Sequence, residues 1–439
     1  MKIGMYIAGE RVAGLKAVKT LSTAICTVAV IGAVTKGLAQ DSEFQDVSPN
    51  VSVSERFADI HGADGLRSGG FLLFPSLSIS EVYDDNVFSE PEATGPVDDF
   101  LTDVSGRLRA RSDWSRHGIE ASARVRRLQF HEQRRESNTE YAFAGNGFLN
   151  LGARSRFLAG AGYRRASEPR SATQTVAGSN EPVRFSTTTA NADFDLLHTR
   201  FREQFGVSYR KDDFDDALVA SALVDQDFRD RDIYSAYYRQ SFRFRPTIAV
   251  FAEASGEIQE YDTVQPGVGA LQDSTSYRVS GGVAADINKV ARGEIALGYQ
   301  NRDYDDPVFT DVSGFSVEAG VEYFLSDLTT VTVNADRSIR DTAVPGVAGF
   351  YSTGGDVTIE HELFRPLLLV ASAAYREDDF RGIDRKDDIL SFAVGADYAF
   401  RPEAILSVRY THLDVGSDGL AARAPFTDNV IRFGIELRL

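Results

Sequence analysis

Apolar and polar residues alternate with period two along nearly the whole chain from Phe71 to Leu439. Phe315, Val317, Ala319, Val321 and Tyr323 stand against Ser316, Glu318, Gly320 and Glu322. Tyr277, Val279, Gly281, Val283 and Ala285 stand against Arg278, Ser280, Gly282 and Asp286. This spacing places successive side chains on opposite faces of an extended strand, whereas the i, i+3, i+4, i+7 pattern of an amphipathic helix is scarce. Strands of a soluble sandwich run about 5 to 6 residues. The alternating runs here are longer, about 10 to 12 residues, the length of a tilted strand crossing a bilayer. They predict 18 strands, with the first core at 71–82 and the last at 429–438. The expected fold is all-β: an antiparallel up-and-down transmembrane β-barrel of 16 to 18 strands over residues 71–439.

The connections alternate in length. Short turns fall at Ser115-Arg116-His117, Arg154-Ser155, His198-Thr199-Arg200, Arg245-Pro246, Asn288-Lys289, Ser326-Asp327, Arg365-Pro366 and Arg401-Pro402. Long connections follow Tyr83, Gln133, Arg165, Lys211, Tyr261, Asp303, Arg340, Glu377 and Leu413. Short periplasmic turns and long extracellular loops are the asymmetry of an outer-membrane barrel. Hairpins also repeat weakly: Phe-Arg-Pro recurs at 244–246, 364–366 and 400–402, and Tyr-Arg-x-Asp-Asp-Phe at 209–214 and 375–380. Proline lacks a donor and suits the end of a ladder. The aromatic residues at strand ends suit two interfacial girdles, and the aspartates lie beyond them, either as solvated loops or as ligands for a divalent cation bridging to lipopolysaccharide. The last strand sets Ile431, Phe433, Ile435, Leu437 and Leu439 against Arg432, Gly434, Glu436 and Arg438. A terminal amphipathic strand of this kind resembles the signal read by the barrel assembly machinery, which usually ends in an aromatic residue rather than leucine.

If the apolar face meets lipid, the polar face lines the lumen. The first half then points Arg107, Arg109, Arg111, Arg124, Arg164, Arg202, Arg210, Arg239 and Arg243 inward. The later strands point Glu253, Glu257, Glu294, Glu318, Glu322, Asp336, Glu360 and Glu362 inward. Two readings follow. A basic arc faces an acidic arc across a wet channel, or the same residues form ion pairs that fill the interior.

The N-terminus changes the charge picture. Lys2, Arg11, Lys16 and Lys19 precede the apolar run Leu21 to Val34, and Lys36-Gly37-Leu38-Ala39 follows. That is the layout of a signal peptide cut after Ala39, with an N-terminal anchor or buried helix as the alternative. The single cysteine, Cys26, lies inside the apolar run. Residues 1–39 hold five of the 47 basic residues and one of the 64 acidic ones, so the formal net charge of −17 becomes −21 after processing. Beyond residue 39 only Lys211, Lys289 and Lys386 are lysines, so almost every remaining cation is arginine. Residues 40–70 are polar and are expected to be a flexible periplasmic lead-in. So acidic a chain is a poor nucleic-acid binder. Its expected surroundings are outer-membrane lipid and lipopolysaccharide, and no cofactor is expected.

No G-x-S-x-G, H-E-x-x-H, P-loop or Rossmann motif occurs, and the six histidines lack metal-ligand spacing, so no enzyme is expected. His412, near the outer rim, is the one candidate for a barrel hydrolase. Phe74-Pro75-Ser76-Leu77-Ser78-Ile79-Ser80-Glu81-Val82-Tyr83-Asp84-Asp85-Asn86-Val87-Phe88, with the Tyr-x-x-Asp-Asp strand ends and Phe-Arg-Pro turns, resembles the Putative beta-barrel porin 2 family over about residues 70 to 439. The resemblance implies a Gram-negative outer-membrane barrel with a porin-like channel for solute or polysaccharide. In some similar barrels it implies exopolysaccharide export alongside export components. The alternative is a structural or surface-interaction barrel without transport. No aromatic stacking track for a polysaccharide stands out beyond Tyr237 and Phe148, which are expected to face inward.

Overall fold

The computed structural model describes residues 51–439 except 174, 175, 177, 288 and 289. The expected signal peptide 1–39, residues 40–50 of the lead-in and the Asn288-Lys289 turn lie outside the described residues. Among the described residues one α-helix, α1 (Val53–Ile60), precedes 18 long strands. These are β1 (Phe71–Asp84), β2 (Asp99–Ser112), β3 (His117–Phe130), β4 (Asn138–Asn150), β5 (Ser155–Ser167) and β6 (Arg184–Leu197). They continue with β7 (Phe201–Phe214), β8 (Arg231–Arg245), β9 (Ile248–Tyr261), β10 (Ser274–Ile287), β11 (Ala291–Tyr304) and β12 (Val312–Ser326). The last six are β13 (Thr329–Arg340), β14 (Gly349–Phe364), β15 (Leu367–Arg381), β16 (Lys386–Arg401), β17 (Ala404–Asp418) and β18 (Phe426–Arg438). Each pairs antiparallel with its neighbour in sequence, and β18 closes on β1 with Leu77 opposite Leu437 and Ile79 opposite Ile435. Closure removes the free edges that an open sheet would leave in a membrane.

The strands run 12 to 16 residues, longer than the alternation predicts, because their ladders continue past the apolar band at the long-loop end. The outer face is apolar and uncovered: Leu297 is 52% exposed and Phe433 60%. In an aqueous protein such a surface would aggregate; around a closed barrel it is the lipid-facing band. Ile431, Phe433, Ile435 and Leu437 lie on this face of β18.

At four short turns the register slips by one residue, between Arg243 and Arg245, Phe324 and Ser326, Glu362 and Phe364, and Ala399 and Arg401. The skipped residues are Phe244, Leu325, Leu363 and Phe400, all exposed. A bulge bends the strand and re-aims its extra side chain, here a large apolar one. The Phe-Arg-Pro repeats are therefore not equivalent, since Phe244 and Phe400 are bulged while Phe364 pairs with Leu367.

The expected flexible lead-in is corrected from residue 51 onward. Residues 53–60 are helical, and Leu66–Ser68 adds a short strand against β1. Ser52 and Glu55 form a reciprocal capping box: the Glu55 N–H donates to Ser52 Oγ at 3.3 Å, and the Ser52 N–H donates to the Glu55 carboxylate at 2.9 Å. Val53 and Phe57, one turn apart, are 1% and 5% exposed and pack on Leu368, Val370, Ala399 and Ile405. Burying two such side chains contributes about 3 to 5 kcal/mol, which holds a helix far too short to stand alone in water.

Candidate functional site

α1 identifies the lumen face. The Val53 N–H donates to Thr330 Oγ1 at 3.1 Å, the Ser54 N–H to Glu360 at 3.2 Å, and Arg56 pairs with Glu362 at 3.2 Å. From Thr330 and Glu360 the cross-strand register carries one face around the whole wall. Every residue singled out as lumen-lining falls on it: Arg107, Arg109 and Arg111 on β2, Arg124 on β3, Arg164 on β5, Arg202 and Arg210 on β7, and Arg239 and Arg243 on β8. Glu253 and Glu257 on β9, Glu294 on β11, Glu318 and Glu322 on β12, Asp336 on β13, and Glu360 and Glu362 on β14 share that face.

From β8 to β13 there is no bare acidic arc, because the acids singled out there meet arginines of the same region. Arg239 lies 3.7 Å from Glu253 and 2.9 Å from Glu294, and Arg278 lies 3.4 Å from both Glu253 and Glu318. Arg292 bridges Glu322 and the Glu55 carboxylate of α1, the latter at 2.8 Å. Arg302 holds Glu257 at 2.8 Å, and Arg340 holds Asp336 at 3.3 Å. β7 follows the same rule, with Arg202 on Asp195 and Arg210 on Asp212 at 2.7 Å. The second case explains the Tyr-Arg-x-Asp-Asp repeats. Two residues apart on one strand, the arginine and the first aspartate share the lumen face and pair, as Arg376 does with Asp378 at 3.2 Å.

The wall of β2 and β3 differs. Arg107, Arg109 and Arg111 alternate on one face, with Arg124 directly opposite Arg107. Among the described residues none of the four has a carboxylate within ion-pair distance. Arg109 and Arg111 lie over the Phe74 ring at 4.6 and 5.6 Å. Glu120, opposite Arg111, is the one acid in the patch, and its Oε2 is buried without a hydrogen-bond partner. Two like charges a few ångströms apart cost about 1 kcal/mol even at the dielectric of bulk water. Beyond this patch, toward the outer end, Arg126 resumes the paired pattern on Asp103 at 2.8 Å.

Tyr237 and Phe148, the aromatic residues expected inward, are both engaged, and Phe74 and Phe251 share the lumen face with them. The Tyr237 hydroxyl donates to Asp193 at 3.0 Å. Arg156 sits 4.2 Å over the Phe148 ring, which lies so close to Gly118 that a Cβ there would fall 2.3 Å from it. His412 is on the outer face, its Nδ1 2.7 Å from Asn429 Oδ1 and its ring against Phe392.

Long loops fold inward over the outer mouth. Ala348, in the 341–348 loop, accepts from Gln272 at 2.8 Å and from the Tyr304 hydroxyl at 2.6 Å, and Asp341 receives Arg302, Arg231 and Gln259. Burial opposes ionisation of Asp341, but Arg302 and Arg231 overcome it and hold the carboxyl below the usual range. Asp230, in the loop before β8, goes the other way: burial pushes it up to about 6, and Asp213, Asp227 and Asp262 add to that against one N–H from Phe214. The Asp84-Asp85-Asn86 segment fastens the closure, since Asp85 accepts from both the backbone and side-chain nitrogens of Asn429 at 2.7 Å. Asn86 donates to Thr427 O at 2.7 Å. Two aspartate groups, Asp84 with Asp85 and Asp428, and Asp216 with Asp225 and Asp227, bring carboxylate oxygens within 4.8 Å of one another and could hold a cation.

The helix is what the sequence reading missed; ion pairing was one of its two readings of the lumen, and the partner of each arginine is what it left open. Ser52-x-x-Glu55 is a capping box legible in the sequence, whereas nothing local signals that Arg239 meets Glu294 three strands away.

Solved barrels resemble the chain at low identity. OpdK of Pseudomonas aeruginosa, solved with vanillate, is 12% identical over 84% of this chain and 99% of that one, with a TM-score of 0.44. OccAB4 of Acinetobacter baumannii is 10% identical over 84% and 98%, also at 0.44, and the siderophore receptor PirA of Pseudomonas aeruginosa is 7% identical over 84% and 80%, at 0.42. No curated protein matches the chain. The model of one family covers residues 59–439, and on that match the chain belongs to the Putative beta-barrel porin 2 family of outer-membrane barrels.

Proposed function

We propose that the barrel is a passive channel through which small hydrophilic solutes cross the outer membrane. The observation that supports this most directly is Arg107, which lies on the lumen face of β2 and is exposed. Water therefore reaches the interior along a stretch of wall that α1 does not touch. α1 and the inward loops narrow the bore, and the ion pairs line the rest of it with fixed charge.

Planar-bilayer recording and liposome swelling with sugars graded in size test this reading. Discrete conductance steps, with swelling that declines as the sugar grows, are expected. No conductance with or without residues 40–62 would leave a structural or surface-interaction barrel. Passage of long oligosaccharides, together with loss of secreted exopolysaccharide in a knockout, would move the reading to polymer export. We further infer that the outward residues of β18, with Leu439, are read by the assembly machinery, and that lipopolysaccharide surrounds the outer rim.

A further inference from the structure

Four arginines of β2 and β3 cluster on the lumen face without ion-pair partners among the described residues. Along much of the wall arginine meets carboxylate, from Arg202 with Asp195 to Arg302 with Glu257 and Asp341. Here three arginines on one strand face and a fourth directly across from the first stand without an acid in ion-pair reach. Like charges set directly opposite on neighbouring strands disfavour the sheet, so packing alone gives no reason for the arrangement. The patch is wet, since Arg107 is exposed and Arg109, Arg111 and Arg124 are half-buried. It is also partly ordered, because the Phe74 ring lies beneath Arg109 and Arg111 and limits where their guanidinium groups can go. All four cations are arginine, whose planar fork matches the paired oxygens of an oxyanion and stays charged at every working pH.

We infer that Arg107, Arg109, Arg111 and Arg124 form an oxyanion station on the lumen wall, where solutes bearing carboxylate, phosphate or sulfate pause during passage. A passing anion supplies the missing counter-charge. Because the arginines remain accessible to water, the station holds the ion weakly enough to release it, as conduction requires. This inference rests on the reading of the barrel as an open channel.

The test uses the purified mature barrel in planar bilayers. Reversal potentials in a potassium chloride gradient should show anion preference at about 0.1 M salt, reduced at about 1 M, where the Debye length falls to roughly 3 Å. Added acetate, inorganic phosphate and sulfate should each interrupt the chloride current, and their relative potency tells which oxyanion geometry the station favours. Arg107→Ser with Arg124→Ser should lower the anion-to-cation permeability ratio about fivefold and abolish the interruptions. The heat-modifiable gel shift of the variant reports whether the barrel still folds. Arg109→Ser with Arg111→Ser, which leaves the opposed pair in place, is the second variant should the first fail to assemble. A wild-type channel that conducts but prefers cations, or a folded variant with unchanged selectivity and interruptions, overturns the station and leaves the channel standing. Absence of conductance, with or without residues 40–62, overturns both.

Discussion

Two stretches of one wall, built from the same alternating strands, treat charge in opposite ways. From β8 to β13 lumen arginines such as Arg239, Arg278 and Arg302 are matched to acids across one to three strands, and Arg302, between Glu257 and Asp341, is only 6% exposed. On β2 and β3, short of the Arg126–Asp103 pair, four arginines share a face with a single glutamate and remain open to water. The difference teaches that a charged lumen is not one electrostatic object. Where side chains crowd, opposite charges must meet because an unpaired buried ion costs several kcal/mol, and where water enters, charge can be left over for a ligand.

The largest effect should come from breaking the paired wall. Arg302→Ala leaves Glu257 and Asp341 without their shared cation and should destabilise the barrel by about 3 kcal/mol, read as a lower urea midpoint in lipid vesicles. The same truncation at Arg107 should change that midpoint little, and an equal loss at both sites would erase the contrast. Next comes the helix. Phe57→Ala removes the main apolar anchor of α1 and should cost about 3 kcal/mol of docking, seen as protease cleavage within residues 51–62 while the strands stay protected.

Acid sharpens the comparison within the loops themselves. The Asp341 carboxyl is depressed in the folded state, so its stabilisation is present above the unfolded value of 3.8 and is lost as pH falls through the lower folded one. Asp230 is raised to about 6, so the folded loop binds its proton more readily, and stability around it falls as pH rises from 3.8 to 6. Hydrogen exchange at pH 4 and pH 7 should therefore show the Asp230 loop better protected at pH 4 and the Asp341 loop unchanged. The smallest effect is expected from Arg107→Glu, which sets a carboxylate opposite Arg124. It should stabilise the sheet by roughly 0.5 kcal/mol, measurable as a small rise in the same urea midpoint.

Much of the fold was legible in the chain because period-two alternation reports a face directly. Tyr277 and Val279 point to lipid and Arg278 to the lumen whatever the neighbouring strands do. The same rule placed Arg107, Glu318 and Glu360 on one side of the wall. It could not place them relative to one another, because the level at which residues of distant strands meet depends on the accumulated stagger of the sheet. α1 escaped for a different reason. Eight residues carry too little periodic signal, and the helix is held by Leu368, Val370 and Ala399, more than 300 positions further along the chain.

By itself the sequence determined a barrel, its strand number, its two faces, the ends with short and long connections, and an interior rich in arginine. Each of these follows from local geometry, from the pleat, the turn residues and the length needed to cross a bilayer. Only the tertiary structure decided which arginines find acids and which do not, and that a segment before the barrel turns back into its lumen. Those outcomes depend on distances between residues far apart in the chain, and charge pairing and burial are governed by such distances and by where water remains.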